Sequence, residues 1–354
     1  MSGPLPLHDV ACVVHVHSVH SDGTGTVAEI ARAASHSGVD VVLLTDHDTM
    51  RARDTGEEGW HDSVLVLVGE EVSPLQENHY LAFGLEQPIS HRGLSAQEIV
   101  DRVNEAGGFG FLSHPFSQGS PRFKRARAMA WSDMEARGYA GLELWSFVTD
   151  SAERIESFRD VLRLIVTPGR FVDHPPRRNL EAWDRICASR RCAALGGLDA
   201  HQVGIRVAGR VPLRLMAYKR SFRFLRTHLL LERPLSGELE PDQAAVYSAL
   251  AAGRAYIAMD SIAAARGFDF WCDGAGRLSM GEEAPVNAGM VLRAHLPRRA
   301  RVRLLRDGSE VAAVSDGDRL EYAVDAPGAY RVEAYVSHLG RERTWILSNP
   351  VYLR

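Results

Sequence analysis

The stretch VACVVHVHSVHSDGT, residues 10–24, is an apolar run that ends in imidazoles and a carboxylate. Val10 to Val16 reads as a buried strand, and alternate residues of a strand point the same way, so His15 and His17 are expected on one face. The turn behind them adds His20 and Asp22 before Gly23. Outward from this stretch, short apolar runs at Val39 to Leu44, Val64 to Val68, Tyr80 to Phe83, Phe109 to Leu112, Gly141 to Leu144 and Ala193 to Leu195 alternate with helix-like segments. That alternation predicts an α/β fold of parallel strands with crossover helices. Thr26 with Glu29 and Ser95 with Glu98 have the spacing of capping boxes, and Gly38 and Gly107 are natural helix stops.

The chain's 354 residues allow two domains, or one large barrel with an appended module. With 45% hydrophobic and 24% charged residues it is globular in composition, which excludes a disordered or collagen-like chain. The four cysteines (Cys12, Cys187, Cys192, Cys272) show no CxxC spacing and read as small buried hydrophobes. A net charge of −4 gives no global pull toward nucleic acid or an anionic membrane. No run reaches the 18 or so apolar residues of a membrane span, and MSGPLPLHDV lacks the order of a signal peptide, so the expected location is cytoplasmic. Residues 205–240 read as irregular and arginine-rich, and Asp242 to Ala252 as a helix. Beyond Gly267 the alternation shortens and Asp273-Gly274, Asp307-Gly308 and Asp316-Gly317 mark turns, which predicts a small all-β sandwich. In it Tyr330, Val332, Ala334 and Val336 face one way and Arg331 and Glu333 the other.

Of fifteen histidines, twelve fall before residue 205, and several stand at strand ends. The second strand ends in Thr45-Asp46-His47-Asp48, the third in Gly69-Glu70-Glu71, and the next begins with His79. Ser113-His114-Pro115 and Leu198-Asp199-Ala200-His201 follow. In an α/β barrel such ends converge on one rim. Each piece alone is weak; the conjunction is a nitrogen and oxygen ligand set that suits zinc, manganese or iron. Glu70 and Glu71 compete for one role, and the strand face alone does not choose. Asp46 and Asp48 read as orienting or capping residues, and His36, His61, His91 and His174 as surface or structural ones.

The strings HVHSVHSDGT, LTDHDT, GEEVS with HYLAFGL, GFLSHP, GLEL and GGLDAH resemble, in order and spacing, the polymerase and histidinol phosphatase (PHP) family over about residues 8–260. The resemblance implies a distorted (β/α)7 barrel, here over residues 1–266, followed by a β-sandwich of unassigned role over 267–354. It implies hydrolysis of a phosphate ester by metal-activated hydroxide at a trinuclear centre of divalent ions. Carried over, His15, His17, Glu71 and Asp199 would hold one ion, Glu71, His79 and His114 the second, and Asp22, His47 and His201 the third. The match of GEEVS selects Glu71 over Glu70, and Glu71, Asp199 and His201 are the expected catalytic residues. Leu198 departs from the family, which often has a small hydroxyl residue there.

Three divalent ions against three carboxylates leave a formal excess of about three positive charges, which favours a polyanion. Arg122, Lys124 and Arg125 follow His114, Arg206 to Arg226 follow His201, and no acid interrupts either run. Arg122, Lys124, Arg125 and His20 are therefore the candidate substrate-binding residues, for a small phosphorylated metabolite, a nucleotide or a short oligonucleotide. The chain has no room for the other domains of a polymerase. Two further readings keep the barrel: a metal-dependent hydrolase of a non-phosphate substrate, and a binding or regulatory protein on the same scaffold. The sequence leaves the oligomeric state open.

Overall fold

A computed structural model of the chain describes residues 7–122, 127–167, 171–202, 216–274 and 276–354. In the first part the strands are β1 (His8–Val16), β2 (Val41–His47), β3 (Gly59–His61), β4 (Val64–Val72), β5 (Tyr80–Phe83), β6 (Phe109–Leu112), β7 (Gly141–Ser146), β8 (Ala193–Ala200), β9 (Leu225–Leu231) and β10 (Ala255–Met259). The helices are α1 (Val27–Ser35), α2 (Arg51–Asp54), α3 (Ala96–Glu105), α4 (Phe147–Glu153), α5 (Phe158–Val166), α6 (Arg177–Ser189), α7 (Tyr218–Ser221) and α8 (Leu239–Ala252). Both expected capping boxes form, so α1 and α3 start where their first-turn amides are satisfied.

Seven strands close on themselves in the order β1-β2-β4-β5-β6-β7-β8 and back to β1. The pairs are parallel except at β5, which runs antiparallel to β4 and β6; β3 is a hairpin partner of β4 outside the ring. Alternation along the strands builds two apolar layers. Cys12, Val14, Val41, Leu43, Leu65, Leu67, Leu81, Phe83, Phe111 and Leu195 fill the interior, which Val246, Ala249 and Leu250 of α8 floor at one end. Val13, Val42, Leu44, Val66 and Val68 face outward against Ile30 of α1 and Ile99 of α3.

Beyond the barrel come β11 (Asp269–Asp273), β12 (Arg277–Ser279), β13 (Glu283–Ala284), β14 (Val291–Arg306), β15 (Ser309–Ala323), β16 (Gly328–His338), β17 (Arg341–Ser348) and β18 (Val351–Leu353). Their core holds Tyr330, Val332, Ala334 and Val336 together with Tyr256 and Ala258 of β10. The sheet is continuous with the barrel: β9 pairs with β1, β10 with β9, β17 with β10 and β16 with β17, all antiparallel.

Two expectations need correction. The stretch read as irregular contains β9, whose seven residues are all buried between β1 and β10. Asp307-Gly308 does make the β14–β15 turn, with both residues at positive φ (49° and 79°), but Asp316-Gly317 lies inside β15 at a register shift opposite Ala300. Arg331 and Glu333 point away from the C-terminal core, as the alternation predicts, and both are buried. Arg331 reaches α6, with Nε 2.6 Å from Asp184 Oδ1, and Glu333 accepts from it at 2.7 Å.

Candidate metal centre

Parity along each strand decides what enters the barrel mouth. On β4, Leu65 and Leu67 point inward, so Gly69 and Glu71 follow them and Glu70 goes the other way. Glu70 is buried on the outer side, where it accepts the Ile89 N–H at 2.7 Å and burial pushes its carboxyl up to about 7. On β1 plain alternation gives the wrong answer, because Cys12 and Val14 point inward and His15 would then point out. A register break between Val14 and Val16 and a left-handed His15 (φ 64°) reverse the parity, so Val16 joins the outer layer and His15 turns in. His17 lies just past the strand. His114 (φ 29°) and Asp199 (φ 52°) are likewise at positive φ, where non-glycine residues are strained and functional sites often store that strain.

All nine residues named from the sequence as ligands converge here. Glu71 is the centre, and its two oxygens face different imidazoles. Oε1 lies 3.1 Å from His79 Nδ1 and 3.3 Å from His114 Nε2. Oε2 lies 3.2 Å from His15 Nε2, 3.5 Å from His17 Nε2 and 3.1 Å from His47 Nδ1. Asp199 Oδ1 stands 3.5 Å from His15 Nε2, His17 Nε2 and His201 Nδ1. Asp22 Oδ1 is 3.1 Å from His201 Nε2 and 3.7 Å from His47 Nε2.

Charge is strongly coupled. Burial opposes ionisation of Glu71 and Asp199, yet the surrounding histidines outweigh it and hold both well below the usual carboxylate range. Burial lowers His15 too, but Glu71, Glu143 and Asp199 raise it well above an ordinary imidazole. Burial and the neighbouring His201 push His17 down to about 4, whereas Asp22 and Asp199 carry His201 up to about 9 against its own burial. These carboxylates require positive charge beside them.

The donor set fits divalent cations. His15 Nε2, both nitrogens of His17, Glu71 Oε2 and His114 Nδ1 are buried with no hydrogen-bond partner, a cost a protein tolerates where a ligand satisfies them. Three groupings bring their donor atoms within 4.8 Å of one another: His17, Asp22, His47 and His201; His15, His17 and Asp199; and His15, Glu71 and His114. His79 belongs to none of them, and its Nε2 faces the Pro74 carbonyl at 3.1 Å.

The supporting roles of Ser73, Glu143 and Thr149 escaped the sequence reading, whereas that of Asp46 did not. Ser73 Oγ donates to the Glu71 carbonyl at 2.7 Å and so accepts from His47 Nδ1 at 2.6 Å, which leaves His47 Nε2 as the lone-pair end. Glu143, buried on β7, contacts His15 Nδ1 at 3.1 Å and the His114 N–H at 2.8 Å. Thr149 donates to Asp199 Oδ2 at 3.0 Å. Asp46, read as an orienting residue, accepts from the Ser18 N–H at 2.7 Å and from the Ser18 and Ser21 hydroxyls, tying down the loop that carries Asp22.

A cleft of about 310 Å³ opens on the cluster. Its walls include Glu71, Asp199 and His201, an apolar side of Met129, Val148 and Ala152, and Arg127. Arg127 has no ion-pair partner among the described residues. Of the residues expected to bind substrate, Arg122 lies 5.5 Å from the Phe158 ring centroid, outside the cleft lining, and His20 pairs with Glu57 at 2.6 Å. Lys124 and Arg125 lie outside the described residues, as do Arg206, Arg210 and Arg214. Arg226 does not reach the rim, being held by Asp260 at 2.7 Å and by the Ser37 carbonyl.

No family model matches the chain. The uncharacterized protein MJ1587 of Methanocaldococcus jannaschii is 28% identical over 116 residues, covering 29% of this chain and 67% of that one. Among solved structures, a two-domain protein of Bacteroides vulgatus ATCC 8482 containing a predicted PHP-like metal-dependent phosphoesterase aligns over 99% of this chain and 97% of its own, at 13% identity and a TM-score of 0.48. A Bifidobacterium adolescentis ATCC 15703 protein likewise predicted to be a metal-dependent phosphoesterase covers 60% of this chain and 94% of its own, at 19% identity and a TM-score of 0.35. No helix of the described residues is long and apolar enough to cross a membrane. The seven-stranded ring and the histidines and carboxylates gathered at one mouth are what the resemblance of its motifs to the PHP family implies.

Proposed function

We propose that the chain is a metal-dependent phosphoesterase acting on a small phosphorylated molecule or a single nucleotide, with residues 1–266 as the catalytic unit. The observation that carries this is Glu71, whose two carboxylate oxygens each face a separate set of imidazoles. A carboxylate so placed would contribute to two cation positions. His15, His17, Glu71 and Asp199 would hold one ion, Glu71 and His114 with His79 a second, and Asp22, His47 and His201 a third. Zinc, manganese or iron suits such donors and, when bound, supplies Lewis acidity and a water of lowered pKa.

The chain's own groups do the rest. Arg127 offers a cleft-facing cation for a non-reacting phosphate oxygen. Thr149 fixes the orientation of Asp199, and Met129, Val148 and Ala152 exclude water from the side that would take the alcohol portion. The cleft volume sits at the low end for small-molecule sites, roughly 300–1,000 Å³, which favours a metabolite or mononucleotide over a long polymer. The test is a turnover screen of phosphomonoesters, phosphodiesters and amides with the manganese-, zinc- and iron-loaded chain. Phosphate release from a monoester or nucleotide is expected. Turnover of amides alone would replace this reading with that of a non-phosphate hydrolase, and no turnover with metal bound would favour a binding protein.

A further inference from the structure

Glu143 stands beside His15 and His114, where two of the metal groupings meet, but belongs to neither grouping. Its carboxylate is fully buried on β7. Oε1 lies 3.1 Å from His15 Nδ1, and Oε2 accepts the backbone N–H of His114 at 2.8 Å. His15 turns in only through the register break in β1, and His114 holds its backbone at φ 29°. We infer that Glu143 is a positioning residue that sets the tautomer of His15 and the backbone of His114 together, and so couples the donors of two cation positions. This rests on the metal-binding part of the reading above.

An ionised carboxylate only accepts hydrogen bonds, so the proton of neutral His15 must sit on Nδ1. Nε2 then presents its lone pair toward Glu71 and Asp199, 3.2 Å and 3.5 Å away. Glutamine has the same shape but cannot make both contacts. With its amide nitrogen toward His15, it donates to Nδ1 and moves the ring proton to Nε2, removing the donor lone pair. With the amide turned over, its N–H groups meet the His114 N–H instead. Oε1 also packs against Gly197, where an added Cβ would collide with it, so the glycine is what admits the carboxylate at this place.

The experiment is Glu143→Gln in the full chain, with Mn²⁺ and Zn²⁺ affinity measured by competition against a chelating dye and the visible spectrum recorded with Co²⁺. Metal affinity is expected to fall about 10–100-fold, the usual cost of losing a group that orients a ligand, with an altered Co²⁺ band. A purely structural glutamate would lower the stability of the metal-free chain and leave affinity and spectrum unchanged, which overturns the inference. If Glu143→Gln does not fold, Glu143→Asp keeps two acceptors but shortens the reach; weaker binding supports the inference, and parental affinity overturns it. A parent chain that binds no metal overturns the metal reading and this inference with it. A parent that binds, with a variant that binds equally well, overturns this inference alone.

Discussion

One oxygen of Glu71 lies 3.2 Å from Nε2 of His15, and neither side chain exposes more than 1% of its surface. So close a contact in so dry a place makes the pair dependent on a shared cation or proton. Glu71→Gln is expected to lose metal binding by more than about 100-fold, beyond what removal of an outer orienting group costs. Glu70→Gln should leave metal content unchanged, because Glu70 faces the outer layer and only its acceptor role toward Ile89 matters. Elemental analysis of the loaded variants checks both. Equal loss in the two, with folding intact by circular dichroism, contradicts the assignment.

Arg127 is the described cleft cation without an ion-pair partner, so Arg127→Ser tests substrate capture. A charge-assisted hydrogen bond is worth about 1.5–3 kcal/mol, so KM for a phosphomonoester should rise about tenfold or more, with a smaller change in kcat. The salt dependence of kcat/KM should weaken as well. Kinetics identical to the parent at low and high ionic strength would remove Arg127 from the binding site.

Loading with metal should stabilise the fold. A ligand that binds only the native state at about 100 times its Kd adds about 2.7 kcal/mol per site, which appears as a raised Tm. Calorimetry with Mn²⁺ and then with excess chelator measures it, and coincident transitions argue that the cluster binds no ion.

A second charged cluster is independent of the metal site. His228 on β9 lies 2.7 Å from Asp9 and 3.3 Å from Asp260, where barrel and C-terminal strands meet. Burial lowers His228, but the two aspartates outweigh it and raise it; burial raises Asp9 and Asp260, but His228 outweighs it and lowers both. The raised histidine contributes stability that is complete below about pH 6.5 and fades as pH climbs through its folded value. The lowered aspartates contribute above about pH 3.9 and lose that contribution as pH falls through their depressed values. His228→Leu should therefore cost about 3–5 kcal/mol at pH 6, and the difference from the parent should shrink toward alkaline pH. Urea titrations from pH 5 to 10 test this, and a constant difference across that range would rule it out.

Much of this was legible from the amino-acid order, because period-two alternation and strand-end histidines are local signals. Tyr80–Phe83 and Phe109–Leu112 are strands with the expected limits. What alternation misses is where its phase slips. His15 reaches the site through a bulge, which no count of alternate residues anticipates. The choice of Glu71 over Glu70 becomes physical only once Leu65 and Leu67 are known to fill the interior. Glu143 gave a signal in the GLEL string, but a buried acid beside apolar neighbours shows its role only when His15 and His114, distant in sequence, stand beside it. β9 was hidden because its run of leucines sits in an arginine-rich context that reads as surface.

The pairing of β10 with β17 has a consequence for how the chain can be divided. Ile257 is bonded across to Leu347 on one side and to Thr227 on the other. A cut near residue 266 would leave β10 as a bare edge, with the N–H and C=O groups that face β17 unpaired and the faces of Tyr256 and Ala258 stripped of their apolar cover. Such an edge is a template for intermolecular strand addition. The barrel alone should therefore self-associate when expressed without its C-terminal strands, even though every candidate ligand lies within it.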